Sequence, residues 1–146
     1  SELCLNVRIK DLFKTSNGKY IAPQMIESKI LVDKYIDQIA VIADQRKFVS
    51  ALIIPVYGML EEYARAHNIA FENREQLCAN PQIYAMMKER IDTLQQQLAH
   101  YEQVKRFTLL PHQFSMEKGE LTNTLKIRRR VLNENYKAEI DKMYED

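Results

Sequence analysis

The chain reads as an α+β fold: a small antiparallel sheet plus an N-terminal β-hairpin, flanked by helices that include one long amphipathic helix. Three observations carry that reading. The β-branched apolar runs "IDQIAVIAD" and "KFVSALIIP" flank a short polar "QRK", which is the pattern of two paired strands. From Ile83 to Tyr101 apolar residues recur at threes and fours behind an Asn80–Pro81 start, which is the pattern of a capped amphipathic helix. The strand-like and helix-like pieces also come in mixed order along the chain.

The elements follow in sequence. "RIKDLFK" alternates as a strand, "TSNG" supplies turn chemistry and "KYIA" returns, so a hairpin is predicted over residues 8–22. Pro23 suits the first turn of a helix over "PQMIESKILVDKY", where Ile26 and Ile30 share a face and Glu27 favours the N-terminal end of the dipole. The two β-branched runs then make an antiparallel pair at the sheet centre, ended by Pro55. After Gly58, "MLEEYARAHN" puts Leu60, Tyr63 and Ala64 on one helical face, and "REQLCA" forms a second, short helix. The long helix follows, with Ile83, Met87, Ile91, Leu94, Leu98 and Tyr101 along its core stripe. "VKRFTLLP" is a further strand, "SMEKGEL" turns at Gly119, and a last helix carries Leu125, Leu132, Tyr136, Ile140 and Met143 on one face. No internal repeat, low-complexity tract or linker interrupts the order.

At 146 residues the chain has the size of a single domain, taken as residues 1–146. Its 21 basic and 20 acidic residues leave a formal charge of +1, so no global field draws it to nucleic acid or to an anionic membrane. Cys4 and Cys78 stand far apart with three histidines in the chain, which argues against a zinc site or a disulfide framework and for a reducing, cytoplasmic setting. No run approaches the roughly 20 apolar residues of a membrane span, and "SELCLNVRIK" has no signal-peptide core. The abrupt, charged start reads as the edge of a piece of something longer.

The chemistry is limited. The three glycines, Gly18, Gly58 and Gly119, form no Gly-rich phosphate cradle and no nucleophile elbow. His67, His100 and His112 read as surface or boundary residues, and Glu61 with Glu62 and Glu72 with Glu75 as solvated charges rather than a general acid and base. What stands out is cationic and placed beside turns: Lys10, Lys14 and Lys19 around the hairpin, and "ELTNTLKIRRR" near the end. The Arg128–Arg130 run reads mainly as a solvated basic face.

At these two segments a family resemblance appears. "RIKDLFKTSNGKYIAPQMIES" resembles the stretch that opens the small C-terminal domain of the adenylate-forming acyl-CoA synthetases, in their long-chain fatty acid branch. "GELTNTLKIRRR" is similar to the same branch's C-terminal lysine motif, with Asn123 where a proline is common. The two motifs stand in the family's order, roughly a hundred residues apart, and so span nearly the whole chain.

The resemblance implies a two-step reaction. A fatty acid carboxylate attacks the α-phosphate of ATP to give acyl-AMP and pyrophosphate, and the thiol of CoA then displaces AMP. A large N-terminal domain would hold the ATP and acyl sites, and this chain would be the mobile lid that turns between steps. By the same resemblance Lys10 matches the hinge and Arg8 the arginine near the nucleotide. Lys14, Thr15, Ser16, Asn17 and Gly18 match the loop that enters the site for thioester formation, and Lys126 matches the lysine that reaches carboxylate and phosphate during adenylation. ATP, Mg2+ and CoA would be ligands of the full-length enzyme, none of them held by this chain alone. Partners would be the chain's own N-terminal domain, fatty acid, ATP and CoA, with no nucleic acid; peripheral membrane association of the parent stays open. The alternative reading is a free-standing RNA- or protein-binding α+β module, for which "KRF" at residues 105–107 is the single hint.

Overall fold

The computed structural model describes residues 12–145. Its first element is a hairpin of β1 (Phe13–Lys14) and β2 (Tyr20–Ile21), paired antiparallel. The described strands are shorter than the predicted span because the turn between them uses five residues: Thr15 N–H donates to the Lys19 carbonyl at 2.9 Å and Gly18 N–H to the Thr15 carbonyl at 2.9 Å. Residues 8–11 of the predicted hairpin lie outside the described residues.

Helix α1 (Pro23–Ile30) starts at its proline and buries Ile26 and Ile30 completely. β3 (Ile36–Ile42) and β4 (Val49–Pro55) pair antiparallel, with Ala40 opposite Leu52. Every residue of β4 is buried, as expected for the middle strand of a covered sheet.

The sheet departs from expectation in one respect. β5 (Val104–Leu109) joins β4 in parallel, so the order β3-β4-β5 is a mixed sheet rather than a wholly antiparallel one. The cause is the connection: a parallel neighbour needs a crossover of a dozen or more residues. Here α2 (Tyr57–Ala66), α3 (Arg74–Ala79) and α4 (Pro81–Leu94) supply it.

The Asn80 side chain accepts from Gln82 N–H at 2.8 Å and Ile83 N–H at 3.3 Å, capping α4 in front of Pro81. Ile83, Met87 and Ile91 are fully buried along its stripe. The helix ends at Leu94, short of the predicted Leu98 and Tyr101, because Gln95 is diverted into the sheet. Its buried amide accepts Val104 N–H at 2.8 Å and donates to the Val104 carbonyl at 2.9 Å. Gln95 thereby occupies the open edge of β5, and Tyr101 stays exposed at the surface.

The predicted last helix is two helices, α5 (Arg129–Asn135) and α6 (Lys137–Met143), meeting at Tyr136. Leu132, Tyr136, Ile140 and Met143 face the core as predicted. Leu125 does not belong to a helix: it has φ 63° and is exposed.

Glu27 is the polar exception in this core. Its buried carboxylate accepts Val41 N–H at 2.8 Å on the outer edge of β3, and a fork from Arg129 whose two nitrogens lie at 2.7 and 2.8 Å. The Arg129 guanidinium also lies 5.5 Å from the centre of the Phe13 ring. One carboxylate therefore ties α1, β3, α5 and the hairpin together. Removing Arg129 leaves a buried carboxylate without its counter-charge, and removing Glu27 leaves a half-buried guanidinium unpaired. Glu27→Ala and Arg129→Ala are each expected to lower stability by about 3 kcal/mol in urea denaturation, with the double variant far from additive.

At the far end of β5, the Leu110 carbonyl accepts the Tyr57 hydroxyl at 2.6 Å, with the Cys78 sulfur at 3.7 Å. Burial, and then the neighbouring Glu75, pushes the Cys78 thiol up to about 11 from 9.0. Burial, and then Cys78, pushes the Tyr57 hydroxyl up to about 12 from 10.0. Both groups become anions on ionising, so the folded state keeps its protons to higher pH than the unfolded chain. The contribution of these two groups is fully present below about pH 9 and is lost as pH climbs through 9 to 11 for Cys78 and 10 to 12 for Tyr57. A urea midpoint that is flat to pH 9 and then declines is the expected profile, and Cys78→Ala should remove its earlier part.

Candidate functional site

Two turns carry the lysines singled out in the sequence, and they share one construction. In the hairpin, Thr15 Oγ1 accepts Lys19 N–H at 3.2 Å, the backbone of Thr15 closes on Lys19, and Gly18 sits at φ 81°. In the second turn, Thr122 N–H donates to the Lys126 carbonyl at 2.8 Å and Leu125 N–H to the Thr122 carbonyl at 2.8 Å. Thr122 Oγ1 accepts Lys126 N–H at 3.0 Å, and Leu125 sits at φ 63°. Each is a Thr-x-x-x-Lys turn whose fourth residue adopts the left-handed conformation, the arrangement of a three-residue hairpin loop.

The first turn is fixed to the body. Ser16 N–H donates to the Arg46 carbonyl at 2.9 Å, Gln45 N–H to the Lys14 carbonyl at 2.8 Å, and the Asn17 amide to the Lys47 carbonyl at 3.3 Å. These bonds dock it on the turn between β3 and β4, where Gln45 takes φ 59°. The same β3–β4 turn is held by α6 and the chain end. Arg46 pairs with Asp141 at 3.2 Å, and the Tyr144 hydroxyl donates to the Phe48 carbonyl at 2.6 Å. The Lys137 and Arg46 cations hold the Asp141 carboxyl below its ordinary range. Thr15 is buried as the turn's internal brace, while Lys14, Ser16, Asn17, Gly18 and Lys19 are exposed. The Lys14 and Lys19 ammoniums lie 5.7 and 5.4 Å from the Tyr20 and Tyr101 ring centres.

The second turn stands on Glu120. Arg128 N–H donates to the Glu120 carbonyl at 2.8 Å, and Leu121 bridges Ile127 antiparallel. The buried Glu120 carboxylate accepts Ser115 N–H at 2.8 Å, the Asn135 amide at 3.0 Å and the Tyr136 hydroxyl at 3.4 Å. Burial and then that carboxylate push the Tyr136 hydroxyl well above its ordinary value. Lys126 closes the turn opposite Thr122 through its backbone N–H and carbonyl, and its side chain is exposed. No hydrogen bond between described residues joins Lys126 to the hairpin. The connection between the two turns is at their bases, through Phe13, Arg129 and Glu27.

A scan against family models matches residues 10–146 to the AMP-binding enzyme C-terminal domain. The chain belongs to that family. Long-chain-fatty-acid–CoA ligase FadD15 of Mycobacterium tuberculosis is 27% identical over 143 residues, covering 97% of this chain and 24% of that protein. Long-chain-fatty-acid–CoA ligase 1 of Homo sapiens is 33% identical over 141 residues, covering 94% of this chain and 20% of that protein. The chain thus spans a fifth to a quarter of the length of these relatives. Among solved structures, the adenylation domain of a carboxylate reductase from Mycobacterium chelonae superposes with a TM-score of 0.76 at 22% identity, over 95% of this chain and 20% of that one. At that identity the likeness shows the α+β fold.

Within this family fold, Arg8 and Lys10 lie outside the described residues. Lys14, Thr15, Ser16, Asn17 and Gly18 fall in one turn and Lys126 in the other. The Arg128–Arg130 run is not uniformly a solvated face, since Arg129 is the half-buried partner of Glu27. Thr122, Glu120 and Glu27 were not legible as parts of the site; an acidic residue set among apolar ones, as Ile26-Glu27 and Glu120-Leu121 are, was the available signal. His67, His100 and His112 are exposed, and among the described residues no three His, Cys, Asp or Glu side chains converge to hold a metal ion. No helix among them is long and apolar enough to cross a membrane.

The "KRF" hint of an RNA-binding strand fails on geometry. Phe107 is buried, with its ring 4.2 Å from the Tyr84 ring, and Arg106 donates to the Met143 and Glu145 carbonyls at 2.7 Å each. Neither side chain is available to stack on a base.

A Cβ added at Gly18 meets no atom within 4 Å, so its positive φ is the one local demand for glycine. Gly18→Ala is therefore expected to lower stability by about 1 kcal/mol, from the left-handed backbone alone. Urea denaturation checks this, and a loss of several kcal/mol would point to a steric clash that the open space does not predict.

Proposed function

We propose that residues 1–146 form the C-terminal lid domain of an AMP-forming long-chain fatty acid–CoA ligase, working with a larger N-terminal domain of the same protein. In the first step a fatty acid carboxylate oxygen attacks the α-phosphorus of ATP. The bond to the bridging oxygen breaks, releasing pyrophosphate and leaving acyl-AMP. In the second step the CoA sulfur attacks the acyl carbonyl, the thiol proton leaves, and AMP departs as the thioester forms.

Lys126 is the catalytic residue of the first step. Two anions must approach each other there, and an ammonium between carboxylate and α-phosphate offsets their repulsion and stabilises the charge of the transition state. The observation that supports this reading is the placement of Lys126: a solvent-facing cation on the closing residue of a turn, its backbone N–H and carbonyl both bonded to Thr122. A side chain whose Cα is fixed in this way loses less freedom when it enters a site.

Lys14, Thr15, Ser16, Asn17 and Gly18 serve the second step. Their turn is slim at Gly18 and is fixed to the body, which suits entry into a narrow channel for the pantetheine arm. Lys10 is the hinge, whose backbone torsions absorb the rotation between steps, and Arg8 lies near the nucleotide. ATP is used with Mg2+, to which no residue of this chain is assigned. The setting is cytoplasmic, consistent with the free Cys78.

Lys126→Ala in the full-length parent tests the assignment. Losing one pre-organised electrostatic contact typically lowers a rate by about 10² to 10³. Acyl-AMP formation, followed by pyrophosphate exchange, should collapse. Thioester release from synthetic acyl-AMP and CoA should stay within about threefold, since that step uses the other turn. Folding of the chain should change by less than about 0.5 kcal/mol for so exposed a side chain. Undiminished exchange would remove Lys126 from the site.

A further inference from the structure

The two Thr-x-x-x-Lys turns differ at the residue that needs the left-handed backbone. Gly18 fills it at φ 81° in one, and Leu125 fills it at φ 63° in the other. Glycine adopts that region without a Cβ penalty, while a branched apolar residue there is strained. The hairpin thus supplies an internal control: glycine closes this same turn, with the same three hydrogen bonds, in the same protein.

Among the described residues no contact accounts for leucine at that place. Leu125 is 63% exposed, whereas Ile127, two residues on, packs against the core and Leu121 across the bridge is buried. Its backbone is disfavoured and its side chain gains little by burial in this chain. A local conflict of this kind, at the residue preceding the exposed Lys126, points to a contact made beyond the described residues.

We propose that Leu125 is a positioning residue for the first step: in the orientation that delivers Lys126, its side chain is buried in an apolar recess of the large domain. The lysine's four-carbon stem is flexible, and a charge at its end is placed well only when its Cα is fixed. Leu125 anchors the turn one residue away. This rests on the reading of Lys126 as the first-step cation.

Leu125→Gly restores the residue that the hairpin uses, so the turn itself survives. The thermal midpoint of the chain should stay within about 2 °C of the wild type or rise, relief of the left-handed strain offsetting the added freedom of the unfolded chain. In the full-length parent, kcat for acyl-AMP formation should fall about 10- to 100-fold, the range that burial of one leucine side chain supports. KM for ATP should remain within about threefold, because the nucleotide is held elsewhere. Thioester release from supplied acyl-AMP should be unchanged, and Leu125→Met, which keeps the apolar reach, should recover most of the adenylation rate.

Lys126→Ala, run beside these, separates the two readings. If it abolishes adenylation while Leu125→Gly adenylates at the wild-type rate, the Leu125 proposal is overturned and the Lys126 assignment stands. If Lys126→Ala adenylates normally, both are overturned. Equal losses in the two half-reactions for Leu125→Gly, or a midpoint lowered by many degrees, would make Leu125 a structural residue and also overturn the proposal.

Discussion

The Glu27 carboxylate is the interaction on which the rest of this domain depends. It sits inside an otherwise apolar helix face, and its three donors come from the edge of the sheet and from a guanidinium 102 residues away in sequence. A carboxylate taken out of water is costly unless it is paired and hydrogen-bonded, so this one constrains where β3, α5 and α1 can lie relative to each other. Through the Phe13 ring under Arg129 it extends to the hairpin. The bases of both lysine turns are consequently fastened to one point. A shared ionic fastening at the base keeps the two turns in a constant relation to each other.

On each outer strand of the sheet one residue's outward backbone groups are met by a buried side chain. Glu27 takes the Val41 N–H on β3, and Gln95 brackets Val104 on β5 with both halves of its amide. Unpaired edge groups invite pairing with another chain. The buried Glu120 carboxylate is satisfied by several donors, while Lys14, Lys19 and Lys126 face solvent.

How much of this was legible in the sequence follows from the range of each signal. Local chemistry could be read: the Asn80–Pro81 cap, the turn at Gly119, the β-branched pair of strands and the apolar stripe through Ile83, Met87 and Ile91 all stand where periodicity puts them. Periodicity overran where a polar residue was claimed by a distant partner. It carried the long helix past Gln95, whose amide belongs to Val104, and carried the last helix back to Leu125, which the Thr122–Lys126 closure holds in a turn. The parallel pairing of β5 was invisible for the same reason, since nothing in "VKRFTLLP" states its neighbour. Glu27 was read as a complement to its helix dipole, and Arg129 as one of three similar arginines, because an ion pair across 102 residues leaves no local trace. The motifs at the two lysine turns were readable, and the bonds that fix their geometry were not.

The two turns use one backbone device with different residues at its left-handed position. The threonine brace and its closure on lysine set the same path in each, so what distinguishes the two turns is what the left-handed residue adds to the surface. At Gly18 that is nothing: no atom stands within 4 Å of where a side chain would begin, and the tip is as thin as a backbone can be, which is the property a narrow channel selects. At Leu125 it is an apolar foot beside a charge. A cation alone is drawn to any anion at long range and is held at none with much precision, because Coulomb attraction varies slowly with distance while dispersion and close packing vary steeply. Setting an apolar contact one residue from the ammonium converts attraction into placement, and placement is what distinguishes a lysine that merely neutralises phosphate from one that lowers a barrier.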